Sequence, residues 1–85
     1  MNLQQLRLKI DEIDAELIRL FQQRMDVSAE IARYKKQHNL PIYDPARERQ
    51  KLDEVSGKVK EGHKAHISAL FSLLFEISRR EQESI

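Results

Sequence analysis

The sequence predicts an all-α protein of three helices, the first far longer than the chain can bury by itself. Three observations carry this. Only 2 Gly and 2 Pro occur in 85 residues, amid abundant Leu, Ile, Ala, Glu, Lys and Arg, a composition that favours helix. From Asn2 to Gln37 there is neither Gly nor Pro, and apolar residues recur in steps of three and four: Leu3, Leu6, Ile10, Ile13, Leu17, Leu20, Val27, Ile31 and Tyr34. That is the seam of a helix packing lengthwise against other helices. The few breakers fall in two clusters, Pro41 with Pro45 and Gly57 with Gly62, which divide the chain in three.

The first helix is expected over about residues 3–37, on the order of 50 Å long. A domain of this size is much narrower than that, so the simple remedy is a homodimer with intertwined first helices. Pro41 cannot continue the helix and pushes Leu40 out of helical geometry. Asp44-Pro45 reads as N-cap and first helical position of a second helix, expected over about 45–60. Its stripe is Leu52, Val55 and Val59, and it should fray between Gly57 and Gly62. A third helix is expected over about 64–83, with Ile67, Leu70, Phe71, Leu74, Phe75 and Ile77 as its apolar face.

Composition excludes several classes of function. Fifteen Lys+Arg against fourteen Asp+Glu give a formal charge of +1, which does not mark a nucleic-acid binder. No apolar run approaches the roughly 20 residues of a membrane span, and no signal-peptide layout opens the chain. The lack of Cys rules out a disulfide framework and thiolate chemistry, and fits a cytoplasmic setting. His63 and His66 are three apart but nothing at suitable spacing completes a metal set. His38 reads as solvated, and Arg79-Arg80-Glu81 as a solvated helix end.

The seam of the first helix has one break. Between Leu20 and Val27 an apolar residue is due, and the sequence has Arg24. A cation in a core stripe costs several kcal/mol unless something pairs with it. The second helix repeats the pattern, since Glu48 lies four residues before Leu52. On the third, Phe71 and Phe75 lead at helical spacing to Ser78 and Gln82. One polar seam residue can fix register. Three, on three helices, fit one shared polar cavity inside a bundle.

Lys35 follows Arg24 by eleven residues, close to three turns, so both lie on nearly one face ~16 Å apart. Ser28 and Ile31 between them leave room, and the two long side chains could grip a small dianion. Alternatively Lys35 snorkels at the seam's edge. Arg7 flanks the seam 17 residues before Arg24, ~25 Å away on the same rod. If it serves the site, it serves the partner chain's site across an antiparallel dimer.

Arg7, Arg24 and Lys35, the stretch Asp44-Pro45-Ala46-Arg47-Glu48-Arg49, and Ser78 with Gln82 together resemble the chorismate mutases of the all-helical AroQ type. The resemblance covers essentially the whole chain, and its strength lies in the ordered set, since each element alone is common. It implies a homodimer with two identical sites, each completed by the other chain's Arg7. It further implies the Claisen rearrangement of chorismate to prephenate, toward phenylalanine and tyrosine, without cofactor or metal. Arg24 and the partner's Arg7 would bind the two carboxylates, as guanidinium forks suit. Lys35 and Gln82 would donate to the ether oxygen. Glu48 would accept from the ring hydroxyl and help orient Lys35, while Asp44, Arg47 and Ser78 complete the lining.

Two rival readings remain. An isochorismate pyruvate lyase of the same fold would share the arginines and the lysine, but resembles the Arg47-Glu48 pair less. A non-enzymatic helical dimerisation module would explain the seam but leaves Arg24, Glu48 and Gln82 without a purpose.

Overall fold

The computed structural model describes residues 1–85. Its order is α1 (Leu3–Gln37), α2 (Pro45–Ser56), a 3-10 turn over Glu61–His63, and α3 (Lys64–Glu83). The starts of α1 and α2 are dictated locally. Asn2 caps α1 through a reciprocal box: its side chain accepts from the Gln5 N–H at 2.9 Å, and the Gln5 side chain accepts from the Asn2 N–H at 3.0 Å. Two otherwise orphaned donors are satisfied. Asp44 accepts from the Arg47 N–H at 3.0 Å, and Pro45 opens α2 where no N–H is needed.

The end of α1 is equally specific. Asn39 adopts a left-handed φ of 56°. The Leu40 N–H then reaches the Lys35 carbonyl at 2.8 Å, and the Asn39 N–H reaches that of Lys36 at 3.4 Å. Asn tolerates this conformation best after Gly, and Pro41 prevents the helix from resuming.

α2 is shorter than its sequence pattern suggests, ending at Ser56 instead of near residue 60. At Gly57 helical propensity falls, and the Lys58 N–H bonds the carbonyl of Val55 at 3.1 Å, three residues back. Val59 therefore leaves the stripe and lies in the link to α3, which closes in a 3-10 turn that the hydrophobic pattern does not mark.

α2 packs on α3, and α3 packs on α1. Side-chain bonds from Arg24 to Ser78 and from Gln82 to Ser28 pair residues 54 apart in both cases. Thus α3 runs parallel to the second half of α1, and α2 is the return stroke. The helices meet along Ser28 and Ala32, which are buried. These lie one residue beyond Val27 and Ile31 and form a second stripe of small side chains that lets the helix axes approach.

The apolar seam itself is left largely uncovered by the chain. All nine of its apolar residues are exposed, and residues 1–23 contain no buried position. The molecule is accordingly elongated, 54 Å long with a radius of gyration of 16.0 Å, against about 12 Å for a compact chain of this length. It exposes 6957 Å², roughly 1,700 Å² more than a compact protein of its mass. No helix is long and apolar enough to cross a membrane.

Replacement of Ala32, 1% exposed at the α1–α3 contact, tests this packing. Ala32→Leu should lower the unfolding free energy by about 1–3 kcal/mol through overpacking. Urea denaturation followed by circular dichroism at fixed protein concentration measures it; unchanged stability would contradict the assigned contact.

Candidate active site

Between the second half of α1, the start of α2 and the end of α3 lies a cleft of about 540 Å³. That volume suits a small organic ligand. Its walls carry Arg24, Lys35, Asp44, Arg47, Glu48, Ser78 and Gln82, together with Ser28, Lys51 and Arg79; Val27, Ile31, Ile42 and Phe75 are its apolar lining. Seven of the eight residues singled out from the sequence thus come together. Arg7 does not line the cleft; it lies towards the other end of the α1 rod.

The cleft is strongly cationic. Arg24, Lys35, Arg47, Lys51 and Arg79 face two carboxylates, Asp44 and Glu48, a formal +3 in a chain whose whole net charge is +1. One of the carboxylates is partly committed, because a side-chain oxygen of Asp44 caps α2.

Arg24 is half-buried in the cleft wall. Its Nη1 donates to Ser78 Oγ at 3.1 Å, and its guanidinium carbon lies 5.8 Å from the Phe75 ring centroid and 6.0 Å from that of Phe71. None of the chain's six ion pairs includes it. Burial lowers its pKa from the ordinary arginine value, the expected response to desolvation without a counter-charge. It remains a cation. A hydroxyl and two aromatic faces attract that charge without neutralising it.

Lys35 donates from Nζ to the Ile42 carbonyl at 3.0 Å, which fixes the ammonium's position and leaves its remaining N–H groups for another acceptor. Gln82 is buried, and its Nε2 donates to both the carbonyl and the hydroxyl of Ser28, at 3.0 and 3.1 Å. To donate to a ligand it must release one of these, and the rotatable Ser28 hydroxyl is the easier to release. Arg47 extends to Gln50 Oε1 at 3.4 Å along the exposed side of α2.

Glu48 departs from the expected arrangement. It is paired with the Arg79 guanidinium of α3 and not with Lys35. The Arg79 guanidinium also lies 5.0 Å from the Tyr43 ring centroid. Its hydrogen bond to Glu48 raises its pKa above the ordinary value. Arg79 is therefore not part of a solvated helix end. The signal was available: Arg79 follows Phe75 by four residues, as Ser78 does by three, so both continue the apolar face. Its pairing across 31 residues had no local signature. Ser28, which the spacing marks only as a small residue that leaves room, is the anchor of Gln82. His38 is exposed but not isolated: its ring stacks on Tyr34 at 4.0 Å between centroids.

Comparison with known proteins places this geometry in a family. A sequence model of the family Chorismate mutase type II matches residues 6–83, a span that includes Arg7 and Gln82. The T-protein of Haemophilus influenzae is 41% identical over 78 residues, 92% of this chain and 19% of that protein. The chorismate mutase of Methanocaldococcus jannaschii is 37% identical over 59 residues, 69% of this chain and 60% of that protein. The chain thus spans less than two thirds of either relative. The solved structure of chorismate mutase (form II) from Thermus thermophilus superposes with a TM-score of 0.89 at 31% identity, covering 94% of this chain and 92% of that one. The family match over nearly the whole length, on this three-helix frame, means that the chain belongs to the chorismate mutase type II family.

Proposed function

We propose that the chain is a chorismate mutase that rearranges chorismate to prephenate as a homodimer. The observation that carries the reading is Arg24: a half-buried guanidinium without a carboxylate partner, in a cleft of formal charge +3. A small dianion supplies the missing counter-charge. Chorismate has two carboxylates, a ring hydroxyl and an ether oxygen. In the rearrangement the ether C–O bond breaks as a new C–C bond forms, with no nucleophile and no proton transfer.

The protein then has two tasks. It must hold a flexible dianion in the reactive chair, where orientation can contribute several kcal/mol. It must also offer preorganised donors to the ether oxygen as charge builds there. Arg24 takes one carboxylate in a guanidinium fork. Lys35, steadied by the Ile42 carbonyl, and Gln82, steadied by Ser28, aim at the ether oxygen. Glu48 accepts from the ring hydroxyl. Asp44, Arg47 and Ser78 complete the lining.

Dimerisation follows from the exposed seam. Covering the excess of roughly 1,700 Å² on each chain would make an interface of about 3,400 Å² in total, within the range of obligate homodimers. An antiparallel pair would bring the partner's Arg7 to the open end of the cleft, the source of a second carboxylate fork.

The direct test is loss of chorismate absorbance with prephenate as product. Absence of prephenate, or release of salicylate from isochorismate instead, would overturn the reading. Arg24→Leu should lower turnover by at least ~10²-fold, the scale of one lost charge-stabilising donor. Its thermal midpoint should be unchanged or higher, because an apolar residue replaces an unpaired charge. Full turnover in that variant would remove Arg24 from the site, whereas a wild type without turnover and a stabilised Arg24→Leu would identify a scaffold and not an enzyme.

Gln82→Glu supplies a pH test. The introduced carboxyl can donate to the ether oxygen only when protonated. Activity should therefore be present at low pH and disappear as pH rises through the titration of that carboxyl. A pH–rate profile identical to wild type would remove Gln82 from the role.

A further inference from the structure

Arg79 takes no part in the proposed rearrangement, yet it holds one of the groups that does. Its Nη1 bonds Glu48 Oε2, and its guanidinium lies against Tyr43 at 5.0 Å. Both side chains of the pair are more covered than exposed, at 31% and 23%. A planar cation held by a ring on one side and a carboxylate on another has few alternative rotamers, and Lys could not reproduce both contacts.

The setting gives this pair a purpose. Glu48 shares the cleft with Lys35, and a flexible ammonium near a free carboxylate pairs with it readily. Such a pair would cancel one donor and one acceptor together. In the structure they are kept apart by consecutive residues of the α1–α2 connection. The Ile42 carbonyl takes Lys35 at 3.0 Å, and the Tyr43 ring seats Arg79, which takes Glu48. The next residue, Asp44, caps the helix that carries Glu48. Only one Glu48 oxygen is engaged by Arg79, which leaves the carboxylate capacity to accept from a further donor.

We infer that Arg79 is a positioning residue, which holds Glu48 away from Lys35 so that the carboxylate accepts from the substrate's ring hydroxyl while the ammonium stays free to donate. The inference rests on the proposed role of Glu48. It separates Arg79 from the carboxylate-binding arginines, since Arg79 acts through Glu48 and does not grip the substrate.

Kinetics of Arg79→Ala, Arg79→Lys, Glu48→Gln and the double variant Arg79→Ala/Glu48→Gln test it. Arg79→Ala should lower kcat about 10-fold, the scale of one hydrogen bond to a charged group, with KM changed far less. Arg79→Lys should recover part of that loss. In the Glu48→Gln background the Arg79 substitution should have no further effect, because the group it positions is gone. An Arg79→Ala variant with raised KM and unchanged kcat would overturn the inference, as would equal losses with and without Glu48. Circular dichroism checks that each variant folds, and Arg79→Gln, which keeps most of the stem, replaces Arg79→Ala if that variant does not. A wild-type protein that makes no prephenate would overturn the functional reading itself, whereas the kinetics of these variants bear on Arg79 alone.

Discussion

A guanidinium half withdrawn from water, with no carboxylate to meet it, is the constraint on which this molecule turns. Arg24 is attracted to Phe71, Phe75 and the Ser78 hydroxyl, but none of these carries a charge. A buried cation left in that state is a cost to the fold. Apolar replacements of similar volume are often as stable or better, so its presence calls for a use outside stability. The cleft as a whole repeats the imbalance, with five cations, Arg24 among them, against two carboxylates. On the proposed reading an anionic ligand offsets that excess and supplies Arg24 with its counter-charge.

Arg24 stands where the two stripes of α1 cross. One is the seam of large aliphatic residues, exposed along its length; the other runs through Ser28 and Ala32 and receives α3. The small stripe draws α3 close enough for Gln82 and Ser78 to reach α1. The large stripe remains for the proposed second chain. The connection after α1 then places its groups in order: Ile42 for Lys35, Tyr43 for Arg79, Asp44 for the start of α2. A left-handed Asn39 and Pro41 set the turn that brings this connection over the cleft.

The all-helical fold was legible because its determinants are local. Asn2, Asp44-Pro45 and the Asn39–Pro41 turn each act within a few residues, and the seam is a strict periodicity. Polar interruptions were legible for the same reason, since Arg24, Glu48 and Gln82 each fall at a position where a periodic apolar stripe is due to continue. The end of α2 was not, because Val59 keeps the stripe's spacing although the helix stops at Ser56. The stripe of Ser28 and Ala32 has no hydrophobic signature. Partnerships across the bundle were hidden altogether: Glu48 with Arg79 and Gln82 with Ser28 join residues 31 and 54 apart. The spacing places Arg79 and Gln82 on the apolar face of α3, but it does not name the residues that they meet across the bundle.

On this account the seam and its one break form a single device, with the exposed stripe supplying each site with Arg7 from the other chain. Subunit exchange measures this directly, with one inactive variant lacking Arg7 and another lacking Lys35. Each is dead alone, but a mixed dimer holds one intact site, so an equimolar mixture allowed to exchange should regain about a quarter of wild-type activity. Recovery near that level would support a site shared between chains. No recovery, with exchange proven independently, would contradict it.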